Sequence, residues 1–331
     1  MFDLDPNSDF YKAMRFQRPQ YIPVVMGLGP AVWRKYREGL EDLVLRHPVV
    51  FGPHERGSTD FDAINPVLCP NYEEGEHLDP WGYVWTNIRA GCDAYVSRHP
   101  LPRRKMVWDF KPPPPGAGIP HGFLFLRLTY LRGYEEAMLD FAEGPPELQR
   151  LIDVIVDYTA NELEHMLAKA PEMVGFADDL GTQRALPISP ALWRRYIKPA
   201  YARLFAMCRA AGAAVLLHSD GHIVPIIADL IECGVDVLNV QVRANGLDNL
   251  VAHCKGKVCL WPEIEGQALA FATPEEIDAY VREVVAKLGA PEGGLWLLAD
   301  CTPDVPLENI EAVCRAFEKY RGYFREDTTT R

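Results

Sequence analysis

From Met173 onward the chain alternates short apolar runs with amphipathic stretches, the pattern of a parallel sheet whose strands are joined by helical crossovers. The runs are Met173–Phe176, Ala214–His218, Val235–Val240, Lys257–Trp261 and Leu295–Ala299, each too short for a buried helix. Between them, Ile277, Tyr280, Val281, Val284, Val285 and Leu288 recur on one helix face, and Leu307, Ile310, Val313, Cys314 and Phe317 form a similar stripe. Thr273-Pro-Glu-Glu276 gives the first of these helices a cap, a proline at its first position and acids in its first turn. A longer stripe, Leu148 to Met166, follows the break at Gly144-Pro-Pro146. With Tyr21–Met26 and Phe123–Leu128 as early strands, the count approaches that of an α/β distorted (β/α)8 TIM barrel, which takes about 250 residues. A doubly wound open sheet competes, but no GxGxxG leads a strand into a helix.

The 331 residues are read as one barrel domain, 1–331, with the excess length in an N-terminal insertion or cap at roughly 50–120 and a frayed tail at 325–331. The insertion holds Trp81, Tyr83 and Trp85, expected to pack there, and the proline run Lys111–Gly116, read as a rigid spacer. Thirty-four Lys and Arg against 46 Asp and Glu leave a formal charge of −12, which argues against nucleic acid or an anionic membrane as partner. The start of the chain lacks a basic, apolar leader, and no run reaches the roughly 18 apolar residues of a membrane span. A cytoplasmic location is expected. Eight cysteines without CxxC spacing read as reduced thiols, most of them in the core.

In such a barrel the chemistry lies at the carboxyl ends of the strands. Those ends offer Asp178 and Asp179, His218-Ser-Asp220, Asn239 and Gln241, Glu263 and Glu265, and Asp300-Cys301. His218, Asp220 and Cys301 carry three donors that suit zinc, which in catalytic sites keeps a fourth position open. The competing reading has His218 hydrogen-bonded in the barrel mouth, Asp220 capping a helix near His222, and Cys301 packed. Asp178 with Asp179, or Glu263 with Glu265, suit cation binding or general acid–base work, unless one acid of a pair caps a helix. His121 and Arg127 near the early strand, with Asn239 and Gln241, are candidates for substrate contact.

Several segments resemble the uroporphyrinogen decarboxylase superfamily: Asp178–Gln183, Ile188–Trp193, Tyr196–Pro199, Leu217–Ile223, Asp229–Asn239 and Pro303–Asn309. Asp79–Trp85, His99–Leu101 and Leu131–Glu135 resemble its branch of cobalamin-linked methyltransferases. The resemblance implies a distorted (β/α)8 barrel. True uroporphyrinogen decarboxylases carry an Arg-rich N-terminal segment and a Phe-Ser-Asp loop. Val25–Trp33 shows neither, so porphyrinogen decarboxylation is disfavoured. The zinc methyltransferases of the superfamily hold their ion with His-x-Cys and a later Cys, to which His218, Asp220 and, approximately, Cys301 correspond. Asp220 in place of a thiolate widens the choice of metal. The resemblance thus implies an enzyme that moves a methyl group between a small molecule or corrinoid and an acceptor at a zinc-like site. It implies a corrinoid protein as partner, Glu263 or Glu265 as fourth ligand or base, and a homodimer as in the decarboxylase branch. The rival readings are a metal-free decarboxylase or lyase acting on an aromatic or porphyrin-like acid through Asp178, Asp179 and His218, and a non-catalytic barrel that binds a corrinoid or partner.

Overall fold

The computed structural model describes residues 2–62, 72–116 and 118–325. Its strands are β1 (Val24–Leu28), β2 (Gly75–Leu78), β3 (Val84–Asn87), β4 (Tyr95–Arg98), β5 (Met173–Ala177), β6 (Ala214–Ser219), β7 (Val237–Gln241), β8 (Cys259–Glu265) and β9 (Leu297–Cys301). All five late apolar runs and the early run Tyr21–Met26 overlap strands. One sheet has the order β1-β9-β8-β7-β6-β5 and a second has β2-β3-β4. The described residues give the first sheet six strands, two short of the expected eight. The proposed strand at Phe123–Leu128 is instead a helix, Phe125–Arg132.

The chain divides into two compact units. The first comprises Met1–Glu73, Arg89–Cys92 and Val240–Arg331. Within it β9 pairs in parallel with β1, from Val24↔Leu297 to Leu28↔Cys301, and with β8 at Glu263↔Leu298. The helices Pro274–Leu288 and Leu307–Tyr320 pack together and bury the expected stripes, including Ile277, Val281, Val284, Val285, Ile310, Val313 and Phe317. Thr273 and Glu276 close the capping box on each other's backbone N–H.

The second unit comprises Glu74–Ile88 and Asp93–Asn239. It contains the parallel pair β5/β6, in register from Met173↔Ala214 to Ala177↔His218, and the antiparallel β2-β3-β4 meander from the region read as an insertion. Phe123 lies 5.1 Å from Phe176 and 4.9 Å from Tyr201, ring to ring, and Tyr201 continues to Phe205 at 5.2 Å. Trp81 is buried with its edge on Tyr158 at 4.8 Å. The proline run has no regular structure and ends where buried Glu162 accepts the backbone N–H groups of Gly116 and Gly118, both at 2.6 Å. Glu162 projects from the Pro146–Leu167 helix, so that helix fixes the approach to residue 121.

Among the described residues six cysteines, 208, 233, 254, 259, 301 and 314, are buried, as core thiols should be; Cys69 lies outside the described residues, as does most of the tail, 326–331. No described helix is long and apolar enough to cross a membrane.

Candidate metal centre

Successive residues of an extended chain point to opposite sides, and this separates Asp178 from Asp179 at the end of β5. Asp178 is fully buried. Its Oδ2 accepts the Phe125 N–H at 2.6 Å and the Tyr201 hydroxyl at 2.9 Å, and its Oδ1 accepts the Leu126 N–H at 2.8 Å. The Phe125–Arg132 helix has no side-chain cap of its own, so Asp178 caps it from across the unit. The capping role weighed for one acid of the pair thus falls to Asp178. Burial pushes its carboxyl up to about 6, against the hydrogen bonds, which favour the charged form.

Asp179 points the other way. Its Oδ1 accepts the Asp220 N–H at 3.1 Å and stands 3.5 Å from His121 Nε2 and 3.5 Å from His218 Nε2. Asp220 Oδ1 lies 3.6 Å from the same His218 nitrogen and is buried with no hydrogen-bond partner. On the far side of the ring, His218 Nδ1 meets Asn239 Oδ1 at 2.5 Å. That oxygen can only accept, so Nδ1 carries the hydrogen and Nε2 faces the acids.

The backbone holds these side chains in place. The loops after β5 and β6 interlock through Gly181 N–H to Asp220 O at 3.2 Å and His222 N–H to Thr182 O at 2.7 Å. Gly221 has φ +80°, and a Cβ there would strike the Gly181 carbonyl. His121 is anchored by the next residue, whose N–H donates to Ala177 O at 2.8 Å, and its side chain is half exposed.

His121, Asp179 and His218 are the three-ligand cluster among the described residues, their donor atoms all within 4.8 Å of one another. Charge-assisted hydrogen bonds draw N and O to about 2.7–2.9 Å, whereas the three N···O separations here are 3.5, 3.5 and 3.6 Å. Two ligands at zinc bonding distance on a tetrahedral ion stand about 3.4 Å apart. The spacing therefore fits ligands around a common cation better than directly hydrogen-bonded pairs, and the orphaned Asp220 oxygen fits the same account. Burial works against charge on His218, but Asp179, Asp220 and Asn239 outweigh it and bring its pKa to about 9. His121 is likewise raised against burial by Asp179. Asp179 is held well below the usual carboxylate range by the two histidines, burial opposing. Burial raises Asp220. The two acids thus create a strong local demand for positive charge.

The expected set of His218, Asp220 and Cys301 is not what the structure clusters. Cys301 ends β9, is buried with its thiol pushed up to about 12 by burial, and is not a member of the cluster of His121, Asp179 and His218. Glu263 is half-buried on β8, and Gln241 ends β7, both in the first unit; the Glu265 side chain lies outside the described residues. His121, read as a substrate contact, stands in the candidate cluster. Its sequence signal was slight, a histidine between Pro120 and Gly122 with the glycine free to adopt φ +72°. Asn239, also read as a substrate contact, is buried and orients His218. Arg127 is buried in the capped helix.

A family model for uroporphyrinogen decarboxylase (URO-D) matches residues 125–320, more than half of the chain. The chain belongs to the uroporphyrinogen decarboxylase family. The matched segment includes Asp178, Asp179, His218, Asp220 and Asn239, while His121 lies just before it. No curated protein matches the sequence significantly. Among solved structures, a methyltransferase from Methanosarcina mazei is similar over 94% of this chain and 98% of its own, at 16% identity and a TM-score of 0.62, a likeness of fold. A dihydropteroate synthase from Xanthomonas albilineans overlaps 45% of this chain and 54% of its own, at 14% identity and a TM-score of 0.31. A B12-independent methionine synthase from a Shewanella species overlaps 60% and 59%, at 13% identity and a TM-score of 0.32.

Proposed function

We propose that this family member is a methyltransferase-like enzyme that moves a methyl group between a small molecule or corrinoid and an acceptor at a metal site. The observation that carries the reading is the set of 3.5–3.6 Å separations joining His121, Asp179, His218 and Asp220. His121, Asp179 and His218 would hold a zinc-class ion, with Asp220 beside them. Such an ion, when bound, supplies Lewis acidity to the donor or acceptor group. The chain's own residues prepare the place for it. Asn239 keeps the hydrogen of His218 on Nδ1, the Asp220 N–H steadies Asp179, and the glycine-locked loops fix both acids. Asp220 Oδ1, buried without a hydrogen-bond partner and 3.6 Å from His218 Nε2, would face the same ion. The distorted (β/α)8 barrel with residues 50–120 as a cap, and a corrinoid protein as partner, belong to the same proposal.

Metal analysis of protein purified and reconstituted with zinc tests it. Near-stoichiometric zinc is expected in the wild type and in Cys301→Ala, with loss in His121→Ala and His218→Ala. Asn239→Ala should weaken zinc binding by about 10–100-fold. Loss of metal in Cys301→Ala and retention in His121→Ala would restore the ligand set expected from sequence. A metal-free wild type that removes carboxyl groups from uroporphyrinogen would overturn the reading in favour of a decarboxylase.

A further inference from the structure

Two arginines on one helix are equally buried and very differently satisfied. Arg132 donates through Nε to Asp140 at 2.7 Å, through Nη2 to Glu136 at 3.2 Å, and through Nη1 to the Leu101 carbonyl. Arg127, 2% exposed, makes one hydrogen bond among the described residues, from Nη1 to the Tyr83 hydroxyl, and enters no ion pair. Its guanidinium lies over the Trp81 ring at 4.7 Å and the Tyr83 ring at 5.6 Å. A guanidinium has five N–H donors and cannot discharge itself, and buried charges in folded proteins are normally paired. Nε and Nη2 have no acceptor among the described residues, which leaves two of the guanidinium's edges unused.

Tyr130 follows Arg127 by three residues and so shares its helix face. Its ring rests on Gly122, next to His121, and contacts Tyr83 at 5.5 Å and Trp85 at 5.1 Å. Tyr130 therefore stands between the unpaired guanidinium and the metal centre, within the same compact unit.

We infer that Arg127 is the receptor for the carboxylate of a small monoanionic substrate, whose apolar body lies along Tyr130 and Trp85 toward His121. A single guanidinium among aromatic rings, with Asp79 nearby on the Trp85 indole, matches one negative charge rather than a phosphate dianion. Arg127 would take the carboxylate in a bidentate pair. This rests on the proposed function only for the site the substrate reaches.

Calorimetric titration of the full-length protein with benzoate, benzamide and inorganic phosphate tests the inference, with zinc content measured on the same samples. Benzoate is expected to bind more tightly than both other probes. Arg127→Met should weaken benzoate by about 30-fold or more while keeping zinc and a melting temperature at or above wild type, because it removes an unpaired buried charge. Arg127→Lys, which keeps the charge but loses the fork, should also weaken benzoate. Equal binding of benzoate and benzamide, tighter phosphate binding, or unchanged benzoate affinity in Arg127→Lys would overturn it. Loss of zinc with the benzoate response intact would overturn the metal centre alone.

Discussion

Asp178 and Asp179 are adjacent and chemically identical, yet the fold gives them separate work. Removing Asp178 leaves two helix N–H groups and a buried phenol without an acceptor, so Asp178→Ala should lower the unfolding free energy by about 1–3 kcal/mol or more. Asp179→Asn should lose zinc, while its urea midpoint in chelator stays close to that of wild type in chelator. Identical stability losses in the two variants would contradict this division. From the sequence both acids were legible as candidates at a strand end. Which one faced the site was not, because that depends on the strand's rotation and on Phe125 and Leu126, more than fifty residues earlier. His121 was harder still to place, since it reaches the cluster through the bond from Gly122 to Ala177, a tertiary contact with no local pattern.

At the scale of elements, the late strands and helices were legible because alternation and 3.6-residue stripes are local properties. Phe123–Leu128 failed for a physical reason. Phe125, Arg127, Leu128, Thr129, Leu131 and Arg132 are all buried, so the helix lacks the exposed polar face that would mark it as amphipathic, and its cap, Asp178, comes from just past a distant strand. A short apolar run of this kind does not distinguish helix from strand. The Ile227–Cys233 helix shows how charge joins elements: Asp229 accepts from Arg194 and Lys198 on two neighbouring helices. Burial opposes ionisation, but these partners lower its pKa below the ordinary 3.8. The stabilisation is therefore present above that value and lost as pH falls through the depressed one. In acid unfolding series, wild type should exceed Asp229→Asn in stability at neutral pH, and the two curves should converge in strong acid. Parallel curves throughout would remove the ion pairs from the account.

For the whole molecule, the parallel pairing of the late strands followed from the rhythm of the sequence, while the number of strands did not. The division into two units was not legible either, because each is assembled from separated segments. That division makes a prediction. His121, Asp179, His218 and Asp220 all lie in one unit, so saturating zinc should slow hydrogen exchange around residues 116–132, 177–183 and 218–222. It should slow exchange around Cys301 less, because that thiol is not part of the cluster. Equal protection around Cys301 would bring that cysteine back into the centre.

The cluster also bears on how the chain finds its structure. Residues 121, 179 and 218 are joined by loops of about 60 and 40 residues, whose closure carries a conformational entropy that grows slowly with length and must be met before the site can exist. A cation captured early would clip both loops at once, so metal supply would govern the yield of folded protein as well as its activity. Refolding with and without zinc, followed by tryptophan fluorescence, would show this as a difference in rate, with chelator slowing the native signal even in protein that is stable once formed.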